Sequence, residues 1–193
     1  MLVISCHADT GFMTHRLARE ADGTVFGHLD NFSGVYSVMQ AYFSGRMDRE
    51  NVRIELTYGE EVDFAGAQEV LETLSPHDFV IVVDVTGTPT GKGLVIEKCA
   101  DPLMREFATV ALRGMEYDLY EGCPDPIANQ DEVDVYRDKC RAVCFLGLPC
   151  AGGDYNAGRV RCREESLKAV TEALCRMVER FHDFCAEKGI RED

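Results

Sequence analysis

Apolar and polar positions follow two rhythms along this chain. Residues 2–7 (Leu-Val-Ile-Ser-Cys-His) and 79–85 (Phe-Val-Ile-Val-Val-Asp-Val) are nearly continuous apolar runs rich in β-branched side chains. Such runs predict strands of a parallel sheet covered on both faces. Residues 52–58 (Val-Arg-Ile-Glu-Leu-Thr-Tyr) alternate instead, which predicts a strand with one covered face. Shorter runs at 94–96 and 142–148 predict two more strands, and Thr24-Val25-Phe26 predicts a β excursion within a loop-like stretch, 8–29. Helical spacing fills the intervals. Val35, Val38, Met39, Ala41 and Tyr42 place a helix from Asn31 to about Arg46, with Asn31 or Ser33 as its cap. Residues 64–74 form a short helix closed by Pro76, and residues 102–117 another with Pro102 in its first turn. A long helix over 164–188 carries Leu167, Val170, Leu174, Met177, Val178 and Phe181 on one face. Residues 121–139 are loop around Pro124-Asp125-Pro126 and then a short acidic helix, and 149–163 read as a Gly-rich loop. Strands alternating with helices predict the α/β class, a three-layer α/β/α sandwich around a mostly parallel sheet. With no repeat or linker, residues 1–193 read as one domain.

Charge and cysteine content narrow the partners. The formal net charge is −14, from 34 acidic against 20 basic residues. A phosphate backbone requires a basic footprint, so nucleic acid is not an expected partner. Anionic membranes are disfavoured for the same reason, and no apolar run approaches the roughly 20 residues that span a bilayer. The start of the chain has neither a basic n-region nor a small-residue cleavage site, so no signal peptide is expected. Nine cysteines occur without a CxxC pair, which argues against a structural zinc site. Their placement in apolar runs and helical segments predicts buried, reduced thiols and a cytoplasmic location.

The chemistry lies at the ends of the strands. His7-Ala8-Asp9, Leu29-Asp30-Asn31, Gly59-Glu60-Glu61 and Val83-Asp84-Val85 each put a carboxylate or imidazole at or just past an apolar run. In parallel sheets the carboxyl ends of strands share one rim, so these islands are expected to converge. Oxygen donors, one imidazole and a spare carboxylate suit a site for two divalent ions. Asp30, at a strand-to-helix corner, suits the bridge between the ions. His7 and Asp84 complete one metal, and Glu61 serves the other. Glu60 points elsewhere and remains as general base. Asp9, two residues after His7, orients the imidazole. A charge following Val-Ile-Val-Val is costly unless paired or metal-bound, which makes Asp84 the most telling single residue. An acidic phosphotransfer pocket would also place Asp at strand ends, but it leaves His7-Ala8-Asp9 and Glu60-Glu61 unexplained.

Taken together, the four islands resemble the di-metal aminopeptidases of the glutamyl/deblocking (tetrahedral) family, within the zinc exopeptidase superfamily. His7-Ala8-Asp9-Thr10-Gly11-Phe12 is similar to that family's first ligand motif. Leu29-Asp30-Asn31-Phe32-Ser33-Gly34-Val35 is similar to the bridging-Asp motif. Glu60-Glu61-Val62 with Gly66-Ala67 looks like the paired-Glu motif, base first and ligand second, and Val83-Asp84-Val85-Thr86 like the third ligand motif. Gly91-Lys92-Gly93 before Leu94-Val95-Ile96 matches the strand beyond it. The resemblance is close over about residues 2–115 and loose thereafter. It implies a phosphorylase/hydrolase-like core and removal of N-terminal residues from peptides or small amides. It also implies two divalent ions, zinc or cobalt, and a bridging water whose proton passes to Glu60.

Three features depart from that pattern. Few residues precede the first ligand strand, where family members carry a further segment. Only residues 8–29 separate His7 from Asp30, so the family's inserted oligomerisation domain is lacking, and a homo-oligomer would need another basis. The last ligand, a His after the final core strand, has no counterpart. Asp154 falls about where it is expected, and an oxygen ligand there favours manganese or magnesium over zinc; Asn156 is the alternative and a weaker donor. These departures keep a second function in view, a non-catalytic metal- or peptide-binding relative with an incomplete second metal site. Arg159, Arg161 and Arg163 alternate as a basic stripe, read either as a solvated edge strand or as a contact for a substrate carboxylate.

Overall fold

The computed structural model describes residues 1–47, 49–127, 130–153, 155 and 158–190. Its elements run β1 (Leu2–His7), β2 (Leu17–Arg19), β3 (Thr24–Gly27), α1 (Phe32–Phe43), β4 (Val52–Thr57), α2 (Ala65–Thr73) and β5 (Phe79–Thr86). There follow β6 (Val95–Glu97), α3 (Pro102–Ala111), β7 (Asp118–Leu119), α4 (Glu132–Tyr136), β8 (Ala142–Ala151), β9 (Val160–Arg163) and α5 (Glu164–Lys188). The sheet has the order β2-β3-β9-β8-β5-β1-β4, with β6 against β8 and β7 against β6. Its central block, β8-β5-β1-β4, is parallel throughout. The antiparallel strands β9, β3 and β2 extend it on one side and curl it.

Every residue of β1 and β5 is buried, because helices cover both faces. On one face, Leu2, Ile4 and Ile81 pack under α1, α3 and α5. Phe79, Phe107 and Phe181 meet edge-on there, with ring centroids 5.3–5.7 Å apart. On the other face, Val3, Val80, Val82 and Val143 pack under α2 and α4, through Val70, Val133 and Tyr136. The three-layer α/β/α expectation holds. Eight of the nine cysteines are buried, Cys123 is half-buried, and none forms a disulfide. Among the described residues no helix is long and apolar enough to cross a membrane.

Three sequence expectations are corrected. Residues 149–163 are not simply loop: β8 continues to Ala151 and β9 begins at Val160, paired Cys150 to Cys162. Gly152 (φ 128°) and Gly153 (φ 83°) bend the chain after β8, in conformations that disfavour side chains. The glycines that looked like loop therefore serve a hairpin. For the same reason Arg161 and Arg163 lie not on an edge strand but on β9, between β3 and β8. The helix expected over 102–117 stops at Ala111, and Gly114 at φ 86° turns the chain toward β7.

Candidate metal centre

β1 and β5 run side by side and parallel, with Ser5 opposite Val82, so His7 and Asp84 emerge at the same rim. Asp30 arrives from the start of α1. Its neighbour Asn31 caps that helix, with Oδ1 accepting from Gly34 N at 3.0 Å. The same side chain donates from Nδ2 to the Val83 carbonyl (2.8 Å) and to Cys6 Sγ (3.3 Å). One amide thus ties the start of α1 to both ligand-bearing strands. Gly34 makes room for it, since a Cβ there would lie 2.1 Å from Asn31 Oδ1.

The result is a buried knot of three donors. His7 Nε2 lies 3.1 Å from Asp30 Oδ1 and 3.2 Å from Asp84 Oδ2. All three residues are at least nine-tenths buried. Among the described residues, this is the one group of three or more His, Cys, Asp or Glu whose ligand atoms all lie within 4.8 Å of one another. Both His7 nitrogens and Asp30 Oδ1 are buried without a hydrogen bond of good geometry. Buried polar atoms are normally satisfied, so this arrangement fits a cation placed among them. Without one, burial alone would lower the His7 imidazole. The Asp84 and Asp30 carboxylates outweigh burial and push it up to about 12. Burial together with the Asp30 charge raises Asp84, while His7 opposes the shift.

The remaining sequence candidates take different positions. Asp9 Oδ1 stands 3.5 Å from His7 Nδ1, on the side of the ring away from the other two carboxylates. Glu60 lines a cavity of about 50 Å³ together with Asp30 and Asp84. Burial first, and the Asp84 charge next, push its carboxyl up to about 8. Glu61 lies outside the three-donor group. Both glutamates sit on a turn whose start, Gly59, has φ 78° and a carbonyl that accepts from Val62, Asp63 and Phe64 N. Asp154, like its alternative Asn156, lies outside the described residues.

Other polar groups at this rim escaped the sequence reading. Glu97 accepts from Thr86 Oγ1 at 2.7 Å. Asp125 accepts from Gly87 N at 2.8 Å and from the Tyr155 hydroxyl. Both carboxylates and Tyr155 line the cavity that holds Glu60. Glu97 follows Leu94-Val95-Ile96 as Asp84 follows its own strand, and that signal was available. Beneath His7, the buried Glu132 accepts from Ser5 Oγ (2.7 Å) and Thr57 Oγ1. Beside the rim, an open hollow of about 560 Å³ runs between the loop after β5 (Thr88, Pro89) and the β8–β9 segment (Pro149, Arg161).

No protein-family model matches this sequence, and no curated protein does. Solved structures do match the fold. A TET aminopeptidase from a marine-sediment Thaumarchaeota archaeon superposes at TM-score 0.70 with 13% identity, over 86% of this chain and 52% of its own. The Pyrococcus horikoshii TET1 peptidase, which can assemble into a tetrahedron or a large octahedral shell, matches at TM-score 0.65 with 20% identity, over 84% and 53%. Yeast aminopeptidase 1 matches at 0.64 with 12% identity, over 92% and 51%. The chain spans about half the length of these structures, and at such identities what it shares with them is the α/β fold of aminopeptidases.

Proposed function

We propose that this chain is a metal-dependent hydrolase of peptide or amide bonds, acting as an aminopeptidase. The observation that carries the reading is the buried His7, Asp30 and Asp84 group, short of hydrogen-bond partners, with the Glu60 carboxyl beside it. The aminopeptidase fold of its structural neighbours supports it. His7, Asp30 and Asp84 would hold one divalent ion, and Asp30 with Glu61 and Asp154 would hold a second. Zinc, cobalt or manganese each suit this mixture of imidazole and carboxylate. Bound there, the ions supply Lewis acidity that polarises the scissile carbonyl and acidifies water. Asp9 fixes the His7 ring through Nδ1. The Glu60 carboxylate takes a proton from the attacking water and returns it to the leaving amine nitrogen. Glu60 lines the same cavity as Asp30 and Asp84, which places its carboxylate for both transfers. The open hollow beside the rim receives the peptide.

A non-catalytic metal- or peptide-binding relative is the competing reading. It is favoured by the fact that only three ligands converge among the described residues. Metal analysis combined with hydrolysis of aminoacyl-anilides, with zinc, cobalt or manganese added, separates the two. The enzyme reading expects cleavage, and expects Glu60→Gln to lower kcat by about 10²- to 10⁴-fold while metal content stays the same. One ion per chain with no cleavage under any of the three metals would establish the non-catalytic reading instead.

A further inference from the structure

β4 closes one end of the sheet: among the described residues it pairs with β1 and with no other strand. Half of its peptide groups are used in that pairing. Leu2 N donates to Asn51 O (2.8 Å) and Ala8 N to Thr57 O (2.9 Å), so residues 51, 53, 55 and 57 turn their peptide groups toward β1. Val52, Ile54 and Leu56 turn theirs outward, away from the sheet. The Val52 N–H is taken by Arg49 O at 3.2 Å. The Val52 carbonyl and both peptide groups of Ile54 and Leu56 face outward along the edge.

The side chains along this edge have an internal symmetry. Val52, Ile54 and Leu56 share one face and Arg53 and Glu55 the other, so the segment Val-Arg-Ile-Glu-Leu is centred on Ile54. A second copy laid antiparallel about a two-fold axis at Ile54 meets it in register. Ile54 faces its own counterpart as a hydrogen-bonded pair, and each Val52 faces a Leu56. Arg53 faces the partner's Glu55 at a non-hydrogen-bonded position, where cross-strand side chains come closest. Charges on an edge strand usually repel further pairing. Within one chain Arg53 Nε pairs with Glu55 Oε1, and Arg53 Nη1 donates to Thr73 Oγ1 at 2.8 Å; a symmetry-related copy sets a second such pair alongside in reversed order, so the four charges alternate in sign across the axis and attract. Leu56 is 45% exposed and Tyr58 50%, leaving apolar area at the same end for a partner to cover.

We propose that two copies of this chain associate through β4, edge to edge and antiparallel, joining their sheets across a two-fold axis. The interface is isologous, each copy offering the same patch to the other.

Sedimentation of the full chain tests this. The wild type is expected at twice 21.5 kDa. Arg53→Glu sets glutamates opposite glutamates, and Glu55→Arg sets arginines opposite arginines. Each variant alone is expected at 21.5 kDa, with a melting temperature that shows it is folded. An equimolar mixture of the two variants is expected to recover the doubled mass, because every glutamate then faces an arginine. Damage to the fold would not be rescued by mixing. A wild type that stays at 21.5 kDa up to about 100 µM overturns the proposal. So do single variants that keep the doubled mass, or a mixture that stays monomeric.

Discussion

Asp9 is the residue whose contribution can be separated most cleanly from the ligands around it. Its Oδ1 faces His7 Nδ1 at 3.5 Å and nothing places it in the three-donor group. Carboxylates in that position fix the tautomer and orientation of a ligating imidazole, and their loss typically weakens metal binding by about 10- to 100-fold. Asp9→Ala is therefore expected to weaken divalent-ion affinity by that factor in a calorimetric titration, with the fold unchanged. Glu132 offers a different experiment. Burial holds its carboxyl above the ordinary value of 4.5, although Thr57 and Ser5 oppose the shift. The unfolded chain releases that proton first, so the stability Glu132 contributes is complete below pH 4.5 and is lost as pH rises through the folded value. Glu132→Gln is expected to remove this part of the pH dependence, read as the urea midpoint between acid and neutral pH. His7, Asp30 and Asp84 stood out in the sequence because each is a charge or imidazole at the end of an apolar strand. Glu132 did not, since it opens a short acidic helix in a segment without periodicity, and only the packing of α4 under β1 brings it beneath His7.

At the scale of elements, the turn that presents Glu60 and Glu61 depends on a helix that carries neither. Gly66, in the first turn of α2, sits so close to the end of β4 that a Cβ would lie 2.5 Å from Tyr58 N and 2.8 Å from Tyr58 O. Its own N–H bonds to that carbonyl at 2.8 Å. Gly66→Ala must push α2 away from Tyr58, a backbone collision that costs about 1–3 kcal/mol. The expected outcomes are a lowered urea midpoint and, because residues 59–64 are strung between the two elements, reduced activity on aminoacyl-anilides. Elements with a strong local signal were legible. β5 is a buried run rich in β-branched side chains, α5 keeps its apolar face over 25 residues, and the sequence pattern places both within a residue of their ends. The short strands β2 and β7 were not found, having three and two residues and no pattern to repeat. β9 was hidden differently. Its alternation of Arg161 and Arg163 with Val160 and Cys162 was visible, but its place between β3 and β8 is a tertiary fact that no local pattern carries.

Across the whole molecule, the sheet divides into a parallel half that carries His7 and Asp84, with Asp30 joining them from the start of α1, and an antiparallel half that borders the hollow. Alternation of strand and helix predicts the first, while the second comes from two stretches that read mostly as loop, 8–29, with its β excursion at Thr24-Val25-Phe26, and 149–163. Both halves meet at β8, whose first eight residues pair with β5 and whose last two pair with β9. The three donors come from segments far apart along the chain, at positions 7, 30 and 84, and an unfolded chain has no reason to hold them together. An ion that binds the folded form alone adds about 2.7 kcal/mol when present at a hundred times its dissociation constant. Added zinc or manganese is accordingly expected to raise the melting temperature, and His7→Ala to abolish the rise. With no disulfide joining its strands, this protein would then owe part of its durability to dissolved mineral, and its lifetime would follow the metal supply of its surroundings.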